Sequence, residues 1–198
     1  MKRFIVTSLL AAGCVPNLVS DDVNTDPTEW SWEAPDNRWP TAAPPDGLIG
    51  EGFERGDIVP DFRLMDQHGE TVSLWQFHGQ VVVLDISTMW CSPCRELAEG
   101  AEETWEEFEE HGFVYLTVLP EDVEREAPDN DDLNQWGDHY GISQPILSDP
   151  ERGYSAPAVP GDAFPQVYVI GRDLRVVDRL SVPTDANLRA TVGDIVDH

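Results

Sequence analysis

A chain of 198 residues with 40% hydrophobic content fills one domain of about 100 to 150 residues plus extra segments, but not two full domains. Its 38 acidic and 12 basic residues give a formal charge of −26, and its only lysine is Lys2, which disfavours nucleic acid and anionic lipid as electrostatic partners. Three cysteines, Cys14, Cys91 and Cys94, are too few for a structural disulfide framework, so the fold must rest on its core.

The chain opens with Met1-Lys2-Arg3, a short apolar run from Phe4 to Ala12, and then Gly13-Cys14. A positive start, an apolar stretch too short to span a bilayer and small residues before a cysteine read as a secretion signal. The stretch Leu10-Ala11-Ala12-Gly13-Cys14 resembles the bacterial lipoprotein signal, with Ala11 where a large aliphatic residue is usual. Residues 1–13 are therefore expected to be a lipoprotein-type signal peptide and Cys14 the lipidated residue. The protein would then work outside the cytoplasm, in the periplasm or at the cell surface, anchored to a bacterial membrane. Residues 14–55, rich in Pro, Asp, Asn and Gly and lacking periodicity, read as a tether. Trp30, Trp32 and Trp39 within it are expected to pack in part on the following domain, because an aromatic in a loop usually finds nearby apolar surface.

Residues 56–198 carry the domain. Phe62 to Met65 and Thr71 to Leu74 flank a polar turn and predict a hairpin. Residues 81–87 are nearly all apolar, as in a central strand covered on both faces. From Pro93 to about His111 a helix is predicted, with Leu97, Ala98, Ala101, Trp105 and Phe108 at helical spacing, glutamates on the wet face and Gly112 at its end. Residues 113–119 give the next buried strand, which should run parallel to the first. The acidic stretch 121–132 reads as a surface loop. Leu133, Trp136 and Tyr140 mark a short helix ending at Gly141, followed by a loop through Ser148-Asp149-Pro150 and a run rich in Pro, Gly and Ala. Residues 166–170 and 174–180, around Gly171-Arg172-Asp173, predict an antiparallel hairpin, and residues 185–196 a closing helix.

At the junction of the central strand and the first helix stands Trp90-Cys91-Ser92-Pro93-Cys94. Two thiols two residues apart at a helix start can open and close a disulfide without moving the backbone, and the helix N-terminus stabilises the attacking thiolate. Zinc would need two more ligands, and no second CXXC or paired-histidine spacing is present. The acidic stretch lacks the glycine and terminal glutamate of a calcium loop, so neither metal nor cofactor is implied. Asp85 interrupts the apolar strand six residues before Cys91. A carboxylate there is costly unless something uses it, and burial would raise its pKa toward neutrality, where it suits acid–base work.

The order of strand, Trp-Cys-X-X-Cys, helix, strand, helix and proline-led hairpin resembles thioredoxin-like proteins of the TlpA/ResA type, within the broader redoxin superfamily. The likeness covers roughly residues 56–196. It implies an α/β thioredoxin fold, a central mixed sheet flanked by helices with an added N-terminal β-hairpin, and thiol:disulfide exchange with protein partners. By that resemblance Cys91 attacks, Cys94 resolves, and Asp85 matches the buried acid that relays a proton to or from the second cysteine. Pro165 corresponds to the family's cis proline, which would open the Phe164 backbone to strand-like pairing with a substrate chain. Phe164 departs from the small or β-branched residue usual there. Trp90 shields and shapes the site, with Ser92 and Pro93 beside it in substrate contact, and the proline between the cysteines resembles the reducing members. Two other readings are open. A peroxiredoxin-type peroxidase would use Thr88, three before Cys91, although Leu84 stands where that family has a proline. A copper-delivery protein would need a distant histidine such as His111 or His139, and no motif surrounds either.

Overall fold

A computed structural model describes residues 32–196, so the signal segment, Cys14 and Trp30 lie outside the described residues. The strands are β1 (Arg63–Asp66), β2 (Thr71–Ser73), β3 (Val81–Ile86), β4 (Phe113–Leu119), β5 (Ile146–Ser148), β6 (Gln166–Ile170) and β7 (Val176–Ser181). They form one sheet in the order β2-β1-β5-β4-β3-β6-β7. The pairs β3–β4 and β4–β5 are parallel and the other pairs antiparallel, so the sheet is mixed and β1–β2 is the added hairpin. Around it stand α1 (Ser92–Ala98), α2 (Ala101–Phe108), α3 (Asn130–Tyr140), α4 (Ser155–Ala158) and α5 (Asp185–Val196). No helix among the described residues is long and apolar enough to cross a membrane.

Every residue of β3 and β4 is buried, as continuous apolar runs in the middle of a covered sheet should be. Strand alternation then divides the core in two. Val82, Leu84 and Ile86 pack with Trp75, Phe77 and Tyr168 on one face, whereas Val81 and Val83 pack with Leu97, Ala101 and Leu188 on the other.

The helix expected over residues 93–111 is broken into α1 and α2 at Glu99 and Gly100. A contact distant in sequence sits at this break. Gly100 lies so close to the start of α5 that a Cβ there would collide with the Asp185 carboxylate, which in turn accepts a hydrogen bond from Thr104 Oγ1 at 3.0 Å. After α2 a single 3-10 turn closes on Gly112, whose φ of 69° is the left-handed conformation that suits glycine. Two further elements lie where only loop was expected, β5 and α4, of three and four residues. The tract 166–181 forms the expected hairpin.

From Trp32 onward the segment read as a tether lies against the domain, so packing begins ahead of the expected boundary at residue 56. Trp32 Nε1 donates to Ser73 Oγ at 3.1 Å and Trp39 Nε1 to Asp66 Oδ2 at 2.6 Å, and both rings pack on the core. Asn37 Nδ2 donates to the Thr71 carbonyl at 2.7 Å, and Arg38 pairs with Glu70 at 3.2 Å. Asp66 is wholly buried, and its other oxygen accepts the N–H groups of His68 and Glu70. Trp39→Phe keeps the ring but leaves Asp66 Oδ2 without its donor, so stability is expected to fall by about 1 to 3 kcal/mol. Urea unfolding reads this as a lower midpoint at unchanged slope. An unmoved midpoint would show that the indole N–H contributes nothing.

Candidate active site

β3 runs into the turn Ser87-Thr88-Met89-Trp90 and delivers Cys91 as the N-cap of α1. Pro93 sits in the first turn, where its missing N–H leaves no hydrogen bond unmade. Cys91 and Cys94 are joined by a disulfide with their Cα atoms 5.3 Å apart. The Cys94 N–H donates to Cys91 Sγ at 3.3 Å, an interaction that favours the anionic sulfur once the disulfide opens. Cys91 is 5% exposed and Cys94 is fully buried, so Cys91 is the sulfur a partner meets first. Ser92 and Pro93 between them are exposed.

Phe164 and Pro165 reach the disulfide because β6 pairs with β3, setting Gln166 opposite Ile86. The Phe164–Pro165 peptide is cis, and the Phe164 carbonyl oxygen lies 3.7 Å from Cys91 Sγ. Trp90 meets the Phe164 ring edge-on at a centroid distance of 6.2 Å. Cys91, Cys94, Trp90, Phe164 and Pro165 therefore form one constellation.

Asp85 is 1% exposed, in the middle of the sheet between β4 and β6. Burial raises its pKa to about 7, against the opposing pull of hydrogen bonds from Ser87 Oγ at 2.6 Å and the Tyr115 hydroxyl at 3.3 Å. Tyr115 is itself pushed well above its usual value, first by burial and then by the Asp85 charge. Asp85 shares the strand face of Val81 and Val83, whereas both cysteines pack in the cluster of the opposite face. Its carboxyl hydrogen-bonds neither sulfur.

Sequence reasoning missed the groups around Trp90. Trp90 Nε1 donates to Glu121 Oε2 at 2.7 Å, Arg152 pairs with Glu121 at 3.2 Å, and the Arg125 guanidinium lies 3.8 Å from the Trp90 ring centre. Glu121 and Arg125 belong to the stretch read as an acidic loop, and nothing local distinguishes them. Tyr115 had a signal, being a hydroxyl in an otherwise apolar strand expected to lie beside that of Asp85. Thr88 is fully buried and its hydroxyl has no hydrogen-bond partner. Among the described residues no three His, Cys, Asp or Glu side chains gather as a metal site. A cavity of about 690 Å³ between β1 and the loops after β5 and before α3 is lined by residues including Asp61, Leu64 and Tyr154 and contains neither cysteine.

A dithiol pair closed at a strand–helix junction, facing a cis-proline loop across a mixed sheet, defines a protein of the thioredoxin-like class. More particularly, the chain belongs to the AhpC/TSA family, whose profile matches residues 55–179. It is 29% identical over 105 residues to the thioredoxin-like protein YneN of Bacillus subtilis, covering 53% of this chain and 59% of that one. It is 28% identical over 94 residues to the thiol-disulfide oxidoreductase ResA of Halalkalibacterium halodurans, covering 48% and 50%. The chain thus spans little more than half the length of the curated relatives it matches. Its fold is similar to that of a secreted thiol-disulfide isomerase from Corynebacterium glutamicum, with TM-score 0.63, 22% identity and coverage of 80% and 98%. The thioredoxin domain of a Bacteroides vulgatus thiol-disulfide oxidoreductase matches with TM-score 0.61, 20% identity and coverage of 72% and 98%.

Proposed function

We propose that this protein is an extracytoplasmic thiol:disulfide oxidoreductase that reduces disulfides of protein partners, held at a bacterial membrane by lipid on Cys14. The observation that carries the reading is the Cys91–Cys94 disulfide with Cys91 at the α1 cap, 3.7 Å from the Phe164 carbonyl. The reduced Cys91 thiolate attacks one sulfur of a partner disulfide; that bond breaks, a mixed disulfide forms, and the other partner sulfur leaves as a thiolate that takes up a proton. Cys94, deprotonated, then attacks Cys91 Sγ, so the mixed bond breaks and the partner leaves as a dithiol. Two electrons pass from this chain to the partner; of the two protons the partner takes up, one equals that released by Cys94 and the other comes from solvent, which took the Cys91 proton when the thiolate formed. We assign to Asp85 the proton that leaves Cys94, carried between them by an intervening water because the carboxyl bonds neither sulfur; a carboxyl with its pKa raised to about 7, six residues before Cys91, supports the assignment. The Phe164 backbone and the exposed Ser92-Pro93 turn receive the partner chain, and Trp90 shapes the mouth between them. The N-terminal signal pattern supports the location, and the acidic surface speaks against nucleic acid as a partner.

A second reading, a thiol peroxidase, has one specific observation in its favour: the unpartnered Thr88 hydroxyl three residues before Cys91. Reduction of insulin by dithiothreitol and turnover of hydrogen peroxide, measured in parallel with the wild-type chain and Cys94→Ser, separate the two. The proposal expects insulin reduction that requires both cysteines. Absent insulin reduction together with peroxide turnover that survives loss of Cys94 would overturn it.

A further inference from the structure

The mouth of the disulfide carries a cation that the other described residues leave without a carboxylate or carbonyl partner. Among the described arginines, Arg38, Arg55, Arg152, Arg175, Arg179 and Arg189 pair with carboxylates. Arg63, Arg95 and Arg172 donate to backbone carbonyls. Arg125 does neither. Among the described residues its guanidinium has a single partner, the face of Trp90 at 3.8 Å, and the residue is exposed. Stacking on a ring occupies the face of the guanidinium and leaves its N–H edges directed outward, the geometry in which arginine grips a carboxylate with two parallel hydrogen bonds.

The surroundings keep that grip available. Glu121 is satisfied on both oxygens, by Trp90 Nε1 at 2.7 Å and by Arg152 at 3.2 Å. Glu124 and Glu126 flank Arg125 in the chain, yet neither pairs with it. Asp122 closes the loop by accepting the N–H groups of Glu124 and Glu126, both at 2.8 Å, and by donating its own N–H to the Glu126 carbonyl at 3.0 Å. Arg125 stands at the tip of this loop with φ of 69°, a conformation uncommon outside glycine, and it is this turn that lays the side chain over Trp90. Beside it a cavity of about 190 Å³ is lined by Met89, Arg95, Val123, Trp136 and His139, and no carboxylate lines it. In a chain of charge −26 this cavity adds no carboxylate to those already engaged around Trp90.

We infer that Arg125 is a specificity residue that binds an aspartate or glutamate next to the reactive cysteine of the partner, so that disulfides flanked by acidic residues are preferred substrates. The inference rests on the oxidoreductase reading and adds the substrate class. The acidic body does not prevent it at contact range, because at physiological ionic strength exposed charges beyond about 8 Å are largely screened.

Three model peptides test this, each closed by one internal disulfide and identical except for Asp, Ser or Lys beside the cysteines. Reduction of each by dithiothreitol-cycled protein in 0.15 M salt is measured as kcat/KM and divided by the rate with dithiothreitol alone, which removes the effect of the flanking charge on the peptide's own reactivity. Wild type is expected to favour the Asp peptide over the Ser peptide by about fivefold, the range of one exposed ion pair. Arg125→Ala should bring that ratio to near one, and Arg125→Glu should turn the preference toward the Lys peptide. An Asp-to-Ser ratio that is the same in wild type and Arg125→Ala overturns the inference. So does a uniform slowing of all three peptides in Arg125→Ala, which marks mere support of Trp90. Failure of wild type to reduce the Ser peptide overturns the oxidoreductase reading itself, and the inference with it.

Discussion

Cys91→Ser is expected to abolish disulfide reduction, with kcat/KM falling by on the order of a thousandfold or more, and Cys94→Ser to arrest the reaction at a covalent complex with the partner. The two cysteines differ in what surrounds them. Cys91 caps α1, receives the Cys94 N–H and is the one with exposed surface, whereas Cys94 is sealed. A serine at Cys91 offers a hydroxyl that does not ionise near neutral pH and so cannot attack sulfur. With serine at position 94 the first attack still takes place, but nothing adjacent can break the mixed bond. Non-reducing electrophoresis and mass spectrometry of Cys94→Ser mixed with a disulfide-bonded protein read this directly as a linked species that dithiothreitol dissolves. Sustained turnover by Cys94→Ser would remove Cys94 as the resolving group.

Asp85→Asn is expected to stabilise the oxidised domain strongly at pH 8 and little at pH 4. The folded chain holds the Asp85 proton with a pKa raised from 3.8 to about 7, because burial disfavours the charge. A group whose folded pKa is raised contributes its full stability below the unfolded value and loses it as pH climbs through the folded one. The loss therefore falls between about pH 4 and pH 7, and at about 1.36 kcal/mol per pKa unit it reaches on the order of 4 kcal/mol. Asparagine carries no charge; its single amide oxygen accepts from one of the Ser87 and Tyr115 hydroxyls, and the other hydroxyl can turn to accept from the amide NH2. A gain of roughly 10 °C in Tm at pH 8, shrinking toward zero at pH 4, is the expected signature. Equal gains at both pH values would mean that Asp85 is not a buried charge in the folded protein. The same variant should slow exchange with partners, and exchange rates unchanged from pH 6 to 9 would remove its proton-transfer role while leaving the stability result intact.

These two sites sit where sequence and structure agree best, and for a physical reason. A wholly apolar strand such as β3 advertises its position in mid-sheet, so an aspartate within it and a CXXC at its end stand out without coordinates. The chain's order of elements likewise announces the mixed sheet. Where legibility ends, the cause is short length or distant contact. Three residues, Ile146–Ser148, are too few to display a strand period, yet they join β1 to β4. The neighbour that demands glycine at the α1–α2 break, Asp185, lies far along the chain from Gly100. Arg125 becomes significant only once its loop folds over Trp90. Residue type alone marks it as one more surface charge in an acidic stretch.

The packing of Trp32 and Trp39 on the hairpin edge sets a working radius. Under the proposed lipid anchor at Cys14, with the chain secured to the domain from Trp32, residues 15–31 would be left to bridge the gap. Fully drawn out, these residues reach at most about 60 Å. That anchor would keep the redox centre on a short leash, and would limit the disulfides open to reduction to proteins that come within one domain's width of that distance from the bilayer.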